Sequence, residues 1–279
     1  MTNAPRPTKN QRREEAREAA RVAREKQLKR QKTLKWLIPT VSSVAILAIV
    51  AGVVWAVIAL QPPPKKEAGP ANMISDGIVF ESDGNNGVKY VPTAAIKKGA
   101  DPVETTPRDG VLNIVTYVDF TCPICKQFEE AYSDQIQKLV ASGSATLEVK
   151  PIAILNRMFT GRTVSTRANN VGACTANFAP DKFLDVMSAM YKNQAEENGP
   201  GLTNSDLLSI VKGAGVTDQQ VLDCISNESF TPWVDAATAR SSQNGVTGTP
   251  TVIINGTKWD GQTQSFEDFV NAEIAKLQG

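Results

Sequence analysis

The stretch FTCPICKQFEEA, residues 120–131, sets two of the chain's four cysteines, Cys122 and Cys125, two residues apart. The spacing Cys122-Pro123-Ile124-Cys125 admits three readings: a redox pair, half of a zinc site, or a staple in a loop. Its flanks narrow the setting. Upstream, VLNIVTYVDF (111–120) is apolar and β-branched, as expected of a central strand buried on both faces. Downstream, Phe128, Tyr132, Ile136 and Leu139 recur at helical spacing, and ATLEVKPIAIL (145–155) returns to strand character. The unit reads β-α-β, with Cys122 at the strand-to-helix junction.

Outward from that unit, GIVFES (77–82) and VKYV (88–91) flank Asp83-Gly84-Asn85-Asn86-Gly87 and predict a small hairpin. Residues from about 162 to 245 read mainly as helices, clearest in DKFLDVMSAMYKNQ, NSDLLSIVKGAG and TDQQVLDCIS. Strand character resumes in TPTVIINGTKW (249–259), where Asn255-Gly256 predicts a hairpin turn. The last segment, SFEDFVNAEIAKLQ, predicts an amphipathic helix with Ser265 and Glu267 as capping candidates.

The amino-terminal quarter is of a different kind. Residues 1–36 hold 12 Lys or Arg against 4 Glu, whereas the remainder holds 18 basic against 25 acidic residues. Between these unlike halves, Trp36 to Leu60 carries no charge and, as a helix, reaches roughly 35 Å, enough to cross a hydrocarbon core of about 30 Å. A cleavable signal has a shorter apolar core and a small-x-small exit. Here the run leaves through Gln61-Pro62-Pro63-Pro64-Lys65-Lys66, which favours an uncleaved anchor. Basic residues before the span hold the N-terminus in the cytoplasm and place the rest outside. The expected order is a basic cytoplasmic tail (1–35), a transmembrane helix (36–60), a linker (61–75) and a folded domain (76–279). The tail lacks a broad apolar face and reads as a topogenic extension, not a nucleic-acid-binding element.

Histidine is absent, which removes Cys-His and Ser-His nucleophile pairs and every His-ligated metal centre. Zinc would need all four cysteines, yet Cys174 and Cys224 lack the second Cys-x-x-Cys spacing. Local pairing of Cys122 with Cys125 leaves Cys174 and Cys224 as a structural disulfide in the helical region, with a redox shuttle as the competing reading.

Removing the helical middle leaves β-α-β followed by β-β-α, with Cys122-Pro123-Ile124-Cys125 at the first helix and Thr249-Pro250 opening the later hairpin. That order resembles the thioredoxin fold, and the helical insertion resembles its DsbA branch. YVDFTCPICKQFEEA is also similar to the active-site line of membrane-tethered DsbA-like proteins of Gram-positive bacteria. The resemblance covers about residues 76–279 and is weakest across the insertion. It implies an α/β chain, a thioredoxin fold with an inserted helical domain at about 162–245, preceded by a single N-terminal transmembrane helix. It also implies an extracytoplasmic enzyme that forms disulfides in unfolded exported proteins bearing free cysteines. A quinone-linked membrane protein of the DsbB or vitamin K epoxide reductase-like type would reoxidise it, without metal or bound cofactor. A reductase or isomerase of the same fold, or a tethered chaperone, is the alternative.

Residue roles follow. With Cys122 at the helix N-cap, Pro123 falls at the first helical position, where it loses no donor. The N–H groups of residues 124 and 125 and the positive helix end then favour thiolate at Cys122. Cys122 is expected to be the attacked, solvent-facing sulfur and Cys125 its resolving partner. Ile124 departs from the Cys-Pro-His-Cys of strong oxidants and predicts a less oxidising pair. Thr249-Pro250 corresponds to the family's substrate-binding cis-proline loop. Asp119 reads either as a base for Cys125 or as a structural cap of the active-site turn, and Glu129 and Glu130 as a solvated helix face.

Overall fold

The computed structural model describes Lys26 and residues 65–159, 163–196 and 198–278. Apart from Lys26, the expected basic tail and transmembrane helix (36–60) lie outside the described residues. Among those that are described, no helix is long and apolar enough to cross a membrane.

Six strands form one sheet: β1 (Ile78–Ser82), β2 (Val88–Tyr90), β3 (Leu112–Val118), β4 (Ala145–Pro151), β5 (Thr251–Ile254) and β6 (Thr257–Lys258), in the order β2-β1-β4-β3-β5-β6. β3 and β4 are parallel, from Leu112 opposite Ala145 to Val118 opposite Pro151. The helix α1 (Pro123–Ala141) makes the crossover between them. All other pairings are antiparallel. The predicted β1–β2 hairpin forms, and Asn255 and Gly256 both take positive φ, 49° and 82°, as a tight β5–β6 turn needs.

β3 departs from its expected burial. Leu112, Ile114, Thr116 and Val118 are buried, but Asn113, Val115 and Tyr117 are only half covered. β4 is the strand buried at every position, although it carries Glu148 and Lys150. Chain from the amino-terminal side of the domain covers these two. Lys150 Nζ reaches the Ser75 carbonyl at 2.9 Å, Glu104 at 3.2 Å and Glu148 at 3.3 Å, and the Ser75 hydroxyl donates to Glu148. A buried charge persists only when its donors and acceptors are matched in this way. Asp76 is held similarly, by Arg240 at 2.6 and 2.7 Å and the Trp233 indole N–H at 3.2 Å. Packing begins before residue 76: Gly69 donates to the Ile96 carbonyl, Ala71 to Asn177, and Met73 is fully buried.

Between β4 and β5 lie α2 (Val164–Phe178), α3 (Phe183–Lys192), α4 (Asn204–Gly213), α5 (Gln219–Ser226) and α6 (Thr231–Gln243); α7 (Phe266–Gln278) ends the described chain. α2 is buried from Val164 through Ala176 except at Arg167, although it carries Ser165, Thr166, Asn169, Asn170 and Thr175. Its polar side chains stay inside by pairing, as when Asn170 accepts the Phe230 N–H at 2.8 Å. At α7 the cap uses Ser265 with Asp268 in place of Glu267, because the third helical position is the one that faces the capping hydroxyl.

Cys174 of α2 and Cys224 of α5 are joined, with both residues buried and 50 positions apart. A loop of that size implies about 4 kcal/mol in the chain-entropy account, an upper-end figure. We expect Cys174→Ala/Cys224→Ala to lose roughly 2–4 kcal/mol in denaturant melts while leaving the thiol chemistry of Cys122 intact. A large change in that chemistry with stability preserved would support the shuttle reading.

Candidate active site

The site begins with a sulfur at a helix end. Cys122 is the N-cap of α1, with extended backbone (φ −83°, ψ 118°), and Pro123 occupies the first turn. The Cys122 Sγ accepts the Cys125 N–H at 3.4 Å. The neighbouring Cys125 thiol, the Thr249 side chain and the backbone N–H groups of Cys125 and Ile124 together lower the Cys122 thiol from 9.0 to about 6, against the opposing effect of burial. A midpoint of about 6 leaves roughly nine-tenths of Cys122 as thiolate at pH 7. Cys125 behaves oppositely. Burial, then the neighbouring Cys122, push its thiol well above the usual range.

The expected solvent exposure of Cys122 is not found, since only 4% of it is accessible, against 1% for Cys125. The cause is the Thr249-Pro250 loop, which lies against the sulfur: the Cys122 thiol donates to the Thr249 carbonyl at 3.3 Å. The Thr249–Pro250 peptide is cis. Polar atoms therefore close over this sulfur on the side of the loop. The Thr249 carbonyl suits the thiol, whereas the Cys125 thiol and the helix-end N–H groups suit the thiolate, and the balance falls to the thiolate. The Thr249 hydroxyl has no hydrogen-bond partner among the described residues. Ile124, 56% exposed, is the large apolar side chain that the site presents to solvent.

Asp119 is fully buried, and its carboxylate accepts from six groups: the Thr121 N–H and hydroxyl, the Ile154 and Leu155 N–H groups, the Ser165 hydroxyl and the Asn169 amide. Its backbone carbonyl takes the Cys122 N–H at 2.9 Å. This wiring ties the end of β3, the chain after β4 and the start of α2 to the active-site turn, which favours the structural alternative for Asp119.

Sequence reasoning missed two residues here. Gln194, after α3, donates from its side-chain amide to the carbonyls of Phe120 and Cys122, both at 3.0 Å, and so clamps the turn from the insertion. No local pattern announces it, because the contact spans 72 residues of chain. Glu129 is the other. Rather than sitting on a solvated face, it is half-buried, and burial with the nearby Asp134 raises its carboxyl to about 7. Its spacing of four from Cys125 was the available signal, since i and i+4 share a helix face. Glu130, by contrast, is exposed.

Cys174 and Cys224 are bonded to each other, so no four-cysteine centre assembles with Cys122 and Cys125. Among the described residues no cluster of three or more His, Cys, Asp or Glu is arranged to hold a metal.

A family model described as Thioredoxin matches residues 109–272. No curated protein matches the chain. Among solved structures, the chain is similar to reduced DsbA from Mycobacterium tuberculosis, with 26% identity and a TM-score of 0.55 over 73% of this chain and 93% of that one. The oxidised form of the same protein gives 25% identity with the same TM-score and coverage. Reduced DsbG from that organism gives 26% identity and a TM-score of 0.50 over 60% of this chain and 78% of the other. BdbD from Bacillus subtilis shares the fold at 16% identity, with a TM-score of 0.55 over 78% of this chain and all of the other. With more than half its length matched by the family model, the chain belongs to the thioredoxin family, as an enzyme of the DsbA-like thiol–disulfide oxidoreductase class.

Proposed function

We propose that the chain forms disulfides in exported proteins, outside the cytoplasmic membrane, through Cys122 and Cys125. The asymmetry of the two sulfurs carries the reading: Cys122 is stabilised as thiolate, to about 6, while Cys125 is held as thiol. The sulfur that is the better leaving group is the one that a client must finally displace.

The cycle starts from the Cys122–Cys125 disulfide. A client thiolate attacks the Cys122 sulfur, the bond to Cys125 breaks, and Cys125 takes up a proton to become a thiol. A mixed disulfide now joins the client to Cys122. A second client thiolate attacks the client sulfur of that bond and Cys122 departs as thiolate. The client leaves with a disulfide, and the two electrons remain on Cys122 and Cys125. A membrane reoxidase of the quinone-linked DsbB or vitamin K epoxide reductase-like type would remove them.

The Thr249-Pro250 loop is suited to hold the client beside Cys122, since it covers that sulfur, and Ile124, two residues along, is exposed. Its displacement from the sulfur would be part of client binding. The uncharged run 36–60 and the basic residues before it support a single-pass anchor, with the catalytic domain outside the cell. Residues 69–77, packed against the domain, would then leave only a short stalk after the span.

Two measurements on the full-length chain test this function. Cys122→Ala should abolish both oxidative refolding of reduced ribonuclease and reduction of insulin. Refolding that continues in this variant would favour a tethered chaperone. The Cys122/Cys125 reduction potential should fall between about −120 mV, typical of DsbA, and about −270 mV, typical of thioredoxin. The Cys122 thiolate pulls it toward the first value, and Ile124 adds no charge to pull it further. A potential at or below the thioredoxin value would point to a reductase.

A further inference from the structure

The active-site turn is held by two residues far apart in sequence. Residues 119–122 join β3 to α1, and the peptide planes of this turn decide where the Cys122 sulfur points. One end is pinned by Asp119, whose carboxylate takes the Thr121 N–H and hydroxyl and whose carbonyl takes the Cys122 N–H. The Phe120 and Cys122 carbonyls fall to Gln194, whose side-chain nitrogen lies 3.0 Å from each. Both partners are acceptors, so the amide presents its NH2, and one group holds two peptide planes at once.

The two carbonyls differ in what else they hold. That of Cys122 also receives the Lys126 N–H at 3.1 Å, as an N-cap carbonyl does, whereas that of Phe120 has no other donor among the described residues. Phe120 is buried, so losing Gln194 would leave its carbonyl unpaired away from water, which is costly. The same stretch of chain grips Phe120 a second time. The Tyr191 ring, three residues before Gln194, stands edge-on to the Phe120 ring with centroids 5.7 Å apart. Between the two grips Asn193 closes α3, its N–H and side-chain amide both donating to the Ala189 carbonyl. Gln194 is therefore presented from the end of a helix that is itself packed against the turn.

We propose that Gln194 is a positioning residue through which the inserted helices hold the Cys122 sulfur against the amide donors at the start of α1. The link is geometric. The direction of the Cys122 carbonyl is set by ψ, here 118°, and ψ also places the sulfur relative to the N–H groups of Ile124 and Cys125. The Cys125 N–H reaches that sulfur at 3.4 Å, a contact that a modest rotation about ψ would break. Gln194 also draws electron density from the Cys122 carbonyl, whose negative end would otherwise oppose a thiolate on the same residue. It touches no reacting atom and carries no charge, so it acts only through the turn.

This role rests on the thiol chemistry proposed for Cys122, and it is read on that thiol directly. Gln194→Met nearly keeps the length and volume of the side chain and removes its donors; the residue is only half-buried, so the variant should fold. The titratable groups around Cys122 are Cys125 on its own helix and Tyr191 on α3, and the substitution alters neither. In the reduced full-length chain the Cys122 thiolate step should move from about 6 up to about 7 in Gln194→Met, a roughly tenfold loss of thiolate stabilisation. The Cys122/Cys125 reduction potential should fall with it by about 30 mV, the equivalent of tenfold for a two-electron couple. Cys174→Ala/Cys224→Ala is the control for lost stability away from the turn, and its step should stay at about 6. A Gln194→Met step and potential equal to the wild type, whatever is lost in denaturant melts, overturns the positioning role and leaves the oxidoreductase reading standing. An equal shift in the disulfide control also overturns it, since instability alone would then suffice. A wild-type step near 9.0 removes the thiolate reading of Cys122, and the role of Gln194 falls with it.

Discussion

A sulfur atom replaces the usual oxygen at the N-cap of α1, and the behaviour of the whole domain depends on that substitution of roles. An N-cap side chain normally satisfies backbone donors that the first helical turn cannot pair internally. At Cys122 the same donors, with the positive end of the helix, stabilise negative charge on a group that can also form and break a covalent bond. The parallel β3–α1–β4 unit makes this possible, because it starts a long helix at the carboxyl end of an interior strand of the sheet. Pro123 contributes a fixed φ in the one turn where its missing N–H costs nothing.

Around that cap, the surroundings treat two adjacent cysteines in opposite ways. Cys122 has polar groups on both sides, from its own helix and from the Thr249 loop, and becomes the acidic member. Cys125, one turn further into the same helix, lies in the core and resists ionisation. The difference gives the exchange a direction at each step: the bond opens at Cys122 and the proton moves at Cys125. The inserted helices take part as well. Gln194 fixes the carbonyls of the active-site turn, Asn169 and Ser165 bind Asp119, and Tyr191 faces the cavity behind Cys125.

Much of this was legible because local rules and tertiary structure agree near the cysteines. The strand, the cap, the proline and the Phe128–Tyr132–Ile136 stripe all fall within a few residues, so period and capping chemistry suffice. Asn255-Gly256 is legible for the same reason, since its turn needs positive φ at both positions. α2 was harder to delimit: its buried face is built from Ser, Thr and Asn held by hydrogen bonds, which leaves no apolar stripe to count. Glu148 and Lys150 mislead in the same way, being charges made tolerable by partners distant in sequence. The closure of Thr249 over Cys122 and the burial of Glu129 likewise arise from contacts between segments far apart in the chain, which single-residue chemistry does not foretell.

The central claim concerns one ionisation, and one titration reaches it directly. Thiolate absorbance of the reduced full-length chain, followed against pH with Cys122→Ala as the control, should contain a single Cys122 step centred at about 6 that the control lacks. A step near 9.0, the value of an unperturbed thiol, would contradict the account, for the Cys125 thiol and the helix-end donors would then be doing nothing to that sulfur.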